Sequence, residues 1–202
     1  MKPIQTAVTL IALAGAIELS QTERVLGSAL NPSFYIARIE TSPPHLVVDR
    51  DNLFEAGMKK QEQEDYAGAI ADYTALLKAQ PDQVDAYSNR GFAYAMLNNL
   101  TSALADFDRA IELAPNNADA YNGRGNVNAL AGNLSASIRD FNQSIRCNRN
   151  FADAYYNRAV SRHGLGDQSG AKRDLTQAAK LFQQQQDLGG YQQAREWINK
   201  LK

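Results

Sequence analysis

A period of 34 residues runs without a gap from residue 50 to residue 185 and constrains the fold more than any other feature of the chain. With residue 50 as position 1 of the first unit, position 8 is small in all four units, and position 20 is alanine or serine. Position 24 is aromatic in three units and leucine in the fourth. These residues are Gly57, Gly91, Gly125 and Ala159; Ala69, Ala103, Ser137 and Ala171; and Tyr73, Phe107, Phe141 and Leu175. Such a period predicts units that stack on their neighbours rather than one globular core.

Each unit is predicted to form two antiparallel helices, A at positions 1–14 and B at about positions 17–30. Position 16 is always Asp or Asn, whose side chains cap the free N–H groups at the start of a helix. Position 2 is always Asp, which the helix dipole favours in the first turn. Helix B of the second unit has an apolar stripe of helical period. These residues are Asp65, Asn99, Asn133 and Asp167; Asp51, Asp85, Asp119 and Asp153; and Leu100, Leu104, Phe107 and Ile111.

The second unit, with Tyr87, Tyr94, Ala103, Phe107 and Pro115 at positions 4, 11, 20, 24 and 32, resembles the tetratricopeptide repeat. The resemblance implies an all-α fold, a right-handed α-solenoid of four helix–turn–helix repeats. These repeats would occupy residues 50–83, 84–117, 118–151 and 152–185. It also implies that the A helices line a concave groove that binds a protein or peptide.

Residues 187–202 are predicted to form a C-terminal capping helix. Tyr191, Ala194, Ile198 and Leu201 share one helical face, with Trp197 beside them. Many arrays of this kind end in such a helix, because the last repeat needs cover for its apolar face. The alternative is a free amphipathic helix that awaits a partner.

The first 20 residues have the layout of a signal peptide. Lys2 precedes an apolar run at residues 7–17, and residues 14–16 (Ala-Gly-Ala) form a small-residue cleavage site. We expect residues 1–16 to be removed on export to a periplasm or thylakoid lumen. An uncleaved membrane anchor and a cytoplasmic peptide are the alternatives. Residues 21–49 lack a sustained period and are interpreted as a linker, with apolar patches at 34–36 and 46–48 that are candidates to pack on the first repeat.

Composition argues against several classes of function. Lys and Arg number 21 against 22 Asp and Glu, and no long basic run occurs, so we expect no nucleic-acid partner. One cysteine and two histidines do not form a common zinc site or an internal disulfide. Cys147, at position 30, is interpreted as a small apolar group. No catalytic constellation is present, so the sequence predicts no enzyme, no cofactor and no metal.

The candidate binding residues occupy positions 2, 5, 6, 9, 12 and 13 of helix A, which the resemblance assigns to the groove. Asn side chains there can pair with a peptide backbone, and aromatic and Met side chains can form apolar pockets. Part of this set is alternatively ordinary packing between repeats. The predicted residues are Phe54, Met58, Ser88, Asn89, Phe92, Met96, Asn122, Asn126, Tyr156, Asn157, Val160 and His163.

The predicted partner is neutral or basic. Some tetratricopeptide domains hold an acidic tail in a clamp of Lys, Asn and Arg. In this chain the matching positions hold Phe54, Met58, Asn89, Asp119 and Gly123, and only Asn89 agrees. The position-2 aspartates would also repel an acidic ligand.

Arginine recurs at position 7 and aspartate at position 23, which predicts ion pairs. The first unit has Ala56 at position 7 and no unit before it. We therefore predict pairing with the preceding repeat. The expected pairs are Arg90 with Asp72, Arg124 with Asp106, and Arg158 with Asp140.

These features predict a non-enzymatic scaffold that binds a protein or peptide. The segments GAIADYTALLKAQPD and NRGFAY are similar in sequence to tetratricopeptide proteins of cyanobacteria and other bacteria. Some anchored members of that kind assist assembly of photosynthetic complexes. An assembly factor for a membrane complex is therefore one concrete version. A self-associating envelope protein and a non-catalytic subunit of an enzyme complex are the alternatives. A membrane contact is expected only through an uncleaved N-terminal segment.

Overall fold

The computed structural model describes residues 50–201, and all the regular secondary structure in that range is helical. The predicted signal segment and linker lie outside the described residues. The helices are α1 (Arg50–Glu62), α2 (Tyr66–Ala79), α3 (Val84–Met96), α4 (Leu100–Leu113), α5 (Ala118–Leu130), α6 (Leu134–Cys147), α7 (Ala152–Gly164), α8 (Gln168–Gln184) and α9 (Leu188–Lys200).

Each helix packs against the next one along the chain, from α1 on α2 to α8 on α9. The A helices α1, α3, α5 and α7 also contact one another in succession. Successive B helices among the described residues approach less closely. The A helices therefore line the inner, concave side of a solenoid and the B helices its outer side. The all-α solenoid that the sequence predicted is confirmed.

Helix starts follow the predicted caps with one exception. The side chains of Asp65, Asn99 and Asp167 accept hydrogen bonds from the backbone N–H three residues later, at 2.9, 3.2 and 2.8 Å. Asn133 makes no such bond. The N–H of Ala136, which would donate to it, donates instead to the Asn133 carbonyl at 2.9 Å.

Helices A and B approach closely where glycine at position 8 meets the aromatic ring at position 24. A Cβ atom at Gly57 would lie 2.6 Å from the Tyr73 ring, and one at Gly125 would lie 2.7 Å from the Phe141 ring. Both rings are fully buried. Position 8 is small because the ring of the same repeat occupies the space of its side chain.

Helix α9 covers the last repeat. Ala194 and Leu201 are buried in one cluster with Leu175 and Phe182 of α8, and Tyr191, Trp197 and Ile198 pack against that cluster. Within residues 50–201, no helix has the length and hydropathy that a membrane span requires.

Candidate functional site

The twelve residues predicted for the groove belong to the A helices, but they differ in depth. Seven are half-buried: Phe54, Met58, Ser88, Asn89, Phe92, Met96 and His163. The other five are 2–6% exposed: Asn122, Asn126, Tyr156, Asn157 and Val160. The half-buried residues lie mainly in repeats 1 and 2, and all the buried ones lie in repeats 3 and 4.

The C-terminal helix contributes to this burial. Tyr156 and Val160 belong to the cluster that contains Ala194 and Leu201, so they pack with the region that α9 closes. Burial raises the pKa of the Tyr156 phenol, and the nearby carboxylate of Glu196 raises it further. The His163 ring meets the Trp197 ring edge to face, with centroids 5.4 Å apart.

Two of the three buried asparagines of the predicted groove bond to each other. Asn157 Nδ2 donates to Asn122 Oδ1 at 3.2 Å, which links α7 to α5. Asn157 Oδ1 and Asn126 Nδ2 are also buried, and neither has a hydrogen-bond partner among residues 50–201. The buried amide atoms of Asn126 and Asn157 are therefore not accessible at the surface.

The half-buried residues of repeats 1 and 2 offer an apolar floor together with the Asn89 amide, which has no hydrogen-bond partner among residues 50–201. The ring centroid of Phe54 lies 5.9 Å from that of Tyr73, and the ring centroid of Phe92 lies 6.3 Å from that of Tyr66. Ser88 donates its hydroxyl to the Val84 carbonyl at 3.1 Å. Asn89 belongs to the same half-buried group. This part of the concave surface keeps area for a partner.

The predicted pairing of arginines with the preceding repeat is wrong. Arg90 makes two hydrogen bonds to Asp106 of its own repeat, at 2.7 and 2.8 Å. Arg158 does the same with Asp174, at 2.7 and 2.8 Å. The pairing is internal because the two helices of one repeat pack directly, so position 7 faces position 23 as position 8 faces position 24. Arg124 with Asp140 follows the same rule.

Each arginine also reaches the preceding repeat, at position 25 of helix B. The Nη1 atoms of Arg90, Arg124 and Arg158 donate to Thr74, Asp108 and Asn142 at 3.1, 2.6 and 2.7 Å. Hydrogen bonds to Asp140 and Asp108 raise the pKa of the Arg124 guanidinium above its usual value. Each guanidinium therefore joins two B helices.

Two further positions belong to this arginine ladder. Position 4 is a tyrosine in repeats 2 to 4, and its ring lies against the guanidinium. The arginine Cζ is 5.6, 5.6 and 5.4 Å from the ring centroids of Tyr87, Tyr121 and Tyr155. Position 11 faces the same cluster in every repeat, as Lys60, Tyr94, Asn128 and Arg162. Sequence reasoning missed the role of position 11, although the constant Asp at position 23 was a signal for it.

The described residues contain no group of three or more His, Cys, Asp and Glu side chains arranged to hold a metal ion. Cys147 is half-buried, with Gln143 Nε2 at 3.8 Å from its sulfur. The ladder aspartates are each engaged by a cation of the same repeat. The half-buried side chains of this surface offer apolar and amide contacts.

Known proteins with the same repeats share this architecture. Family models described as tetratricopeptide repeat match residues 60–122 and 97–155. A crystal structure of MamA protein is 23% identical with a TM-score of 0.58, and the match covers 75% of this chain and 89% of that one. MamA 41-end from Desulfovibrio magneticus RS-1 is 19% identical with a TM-score of 0.63, over 70% of this chain and 80% of that one.

A third solved structure contains a ligand. It is the first TPR of Spaghetti (RPAP3) bound to the HSP90 peptide SRMEEVD, at 25% identity and a TM-score of 0.56, over 59% of this chain and 94% of that one. Among curated proteins, no sequence matches this chain. The family matches, the repeated helix pairs and the solved structures together show that the chain is a tetratricopeptide repeat protein.

Proposed function

We propose that this protein is a non-catalytic scaffold that binds a protein or peptide on its concave surface, mainly in repeats 1 and 2. The observation that carries the proposal is the difference in depth along the A helices. Phe54, Met58, Asn89, Phe92 and Met96 remain half-buried, whereas five of the six predicted residues of repeats 3 and 4 are buried. The peptide-bound structure of the first TPR of Spaghetti (RPAP3) supports a ligand of this kind.

The partner in this proposal is neutral or basic. The twelve residues predicted for the groove include no lysine or arginine, and Asp85 at position 2 is exposed beside them. A carboxylate-rich ligand would lose hydration there without gaining a cation. Peptide SRMEEVD provides the direct comparison. We expect it to bind this protein at least about tenfold more weakly than a version with both glutamates replaced by lysine.

The test of the site combines crosslinking with substitution. A photoreactive residue at Asn89 should capture a partner segment in the native cell, and one at the exposed outer residue Ala105 should not. Once that segment is made as a peptide, Phe92→Ala should weaken its binding by about tenfold, because an aromatic anchor often dominates an interface. Unchanged binding by Phe92→Ala, with crosslinks from residue 105, would overturn the proposal.

The setting that we propose for this scaffold is an exported or membrane-anchored one, in the assembly of a membrane complex. Support comes from the signal-like layout of residues 1–20 and the resemblance to bacterial assembly proteins. N-terminal sequencing of the native protein tests cleavage, because an intact Met1 would exclude removal of residues 1–16. A concentration-dependent oligomer without another partner would favour a self-associating protein.

A further inference from the structure

A strip of cations that form no salt bridge among residues 50–201 runs along the outer sides of α6 and α8. All five side chains are exposed, and none lies within ion-pair distance of a carboxylate in the range 50–201. The only acidic residues of these two helices, Asp140 and Asp174, are buried and held by arginines of the ladder. Every exposed charge on α6 and α8 is therefore positive. This outer strip consists of Arg139, Arg146, Lys172, Arg173 and Lys180.

The outer strip has a regular spacing. Arg139 and Arg146 are seven residues apart, which places them on one side of α6 and about 10.5 Å apart along its axis. Phe141, which packs on Gly125, lies on the opposite side. Arg173 and Lys180 repeat this spacing on α8. Arg158, which bonds to Asn142 of α6 and Asp174 of α8, shows that the two helices are neighbours.

Helix B of the other two repeats carries fewer of these charges: Lys78 of repeat 1 occupies the position of Arg146 and Lys180, and Glu112 occupies it in repeat 2. The positions of Arg139 and Arg173 are occupied there by Ala71 and Ala105. Residues 50–117 contain six Lys and Arg against eleven Asp and Glu, a net charge of −5. Residues 118–202 contain twelve against seven, a net charge of +5. The two halves therefore carry opposite net charges although the whole chain is nearly neutral, and the outer strip lies on the positive half.

We propose that the outer strip is a second docking surface, for an acidic helical segment of a protein partner. A helix with carboxylates seven residues apart presents them at the same spacing of about 10.5 Å as the cations of α6 or α8. Arginine binds a carboxylate through two parallel hydrogen bonds, which orients such a segment as well as attracting it. The surface is separate from the concave one, so one scaffold can hold two partners.

A polypeptide fits this surface better than a membrane or a nucleic acid does. The exposed large apolar residues in the described part of the chain are Leu97, Leu130, Leu165 and Leu188, and none lies on α6 or α8. The outer strip therefore has no side chain to insert among lipid chains. The aromatic residues of these helices, Phe141 and Phe182, are buried and cannot stack on bases.

The test uses a fluorescent alanine-based peptide of about 20 residues with glutamate at every seventh position, and a matched peptide with glutamine. At low salt the full-length protein should bind the glutamate peptide at least about tenfold more tightly. The double variant Arg139→Ala/Arg173→Ala should lose about fivefold or more in affinity. It should keep its helical signal and melting temperature, because Ala71 and Ala105 occupy the same positions in repeats 1 and 2.

The matched control is Lys59→Ala/Lys78→Ala, which changes the net charge equally but removes exposed cations of repeat 1. It should leave peptide affinity within about twofold. Equal losses in the two double variants would overturn the proposal, since binding would then follow net charge alone. If the protein binds phosphatidylserine vesicles more tightly than the glutamate peptide, and Arg139→Ala/Arg173→Ala loses that binding, the strip would be assigned to a membrane instead. Salt-sensitive self-association lost in the same variant would assign it to a second copy.

Discussion

Repeats 1 and 2 differ from repeats 3 and 4 although the 34-residue period runs through both. The inner side of the first pair retains half-buried Phe54, Asn89 and Phe92, whereas Asn126 and Tyr156 of the second pair are 5% and 6% exposed. The net charge of the two halves is also opposite. A repeat architecture thus holds the backbone constant while neighbouring helices decide how much of each position remains accessible.

The largest expected effect tests the difference in burial. Phe141→Ala should lower the free energy of unfolding by about 3–5 kcal/mol, because its ring is fully buried against Gly125. Phe92→Ala removes a half-buried ring of repeat 2 and should cost about 1–2 kcal/mol. Urea unfolding of both variants measures the comparison. Equal losses would mean that the half-buried ring of Phe92 is packed as tightly as the core ring of Phe141.

The arginine ladder provides the next comparison, between its two ends. Asp174→Ala removes the carboxylate that binds both Arg158 and Arg162, and it should cost about 3 kcal/mol because two partly buried guanidinium groups lose a shared carboxylate. Asp72→Ala in repeat 1 frees only Lys60, which is 38% exposed and can be hydrated. Its cost should be below about 1 kcal/mol. Thermal melts of both variants provide the measurement, and a larger loss for Asp72→Ala would contradict this account.

Alkaline pH should act on one buried tyrosine in each half. Burial raises the pKa of both Tyr73 and Tyr156 above the ordinary value of 10.0. Above pH 10 the unfolded chain releases both phenolic protons while the folded chain keeps them, so stability is present below that pH and falls as pH rises. Each tyrosine contributes a slope of about 1.4 kcal/mol per pH unit.

Denaturant unfolding from about pH 9 to about pH 12, a range that spans the ordinary tyrosine pKa, measures this effect. Tyr73→Phe and Tyr156→Phe should each remove one of the two slopes. The control is Lys78→Ala, which changes an exposed residue and keeps every tyrosine. It should leave the pH profile unchanged. A profile that is the same in wild type and both phenylalanine variants would refute the prediction.

The smallest effect concerns the buried amides. Asn126→Ala should change stability by less than about 1 kcal/mol, because Asn126 Nδ2 has no partner to lose among the described residues. Asn157→Ala removes the bond to Asn122 and strands a buried oxygen, which should cost about 1–2 kcal/mol. Chemical denaturation distinguishes the two variants. A greater loss for Asn126→Ala would show that its amide is bonded in solution.

The caps and the A–B contact could be predicted because they are local. Asp65 and Asn99 bond three residues away, and Gly57 meets a ring sixteen residues away in the same unit. The candidate site was less predictable. Asn126 and Asn89 have the same residue type, yet one is 5% exposed and the other half-buried. Their accessibility depends on contacts with other helices, which residue type does not encode.

The sequence by itself determined the architecture, because a 34-residue period with small residues at position 8 and mostly rings at position 24 is typical of stacked helix pairs. Only the tertiary structure decided which aspartate each arginine binds and which groove residues remain accessible. Two aspartates at position 23 were candidates for Arg124, Asp106 of the preceding repeat and Asp140 of its own. The direct packing of α5 on α6 selected Asp140. That choice, like the closure of repeat 4 by α9, depends on distances between helices that the order of residues does not specify.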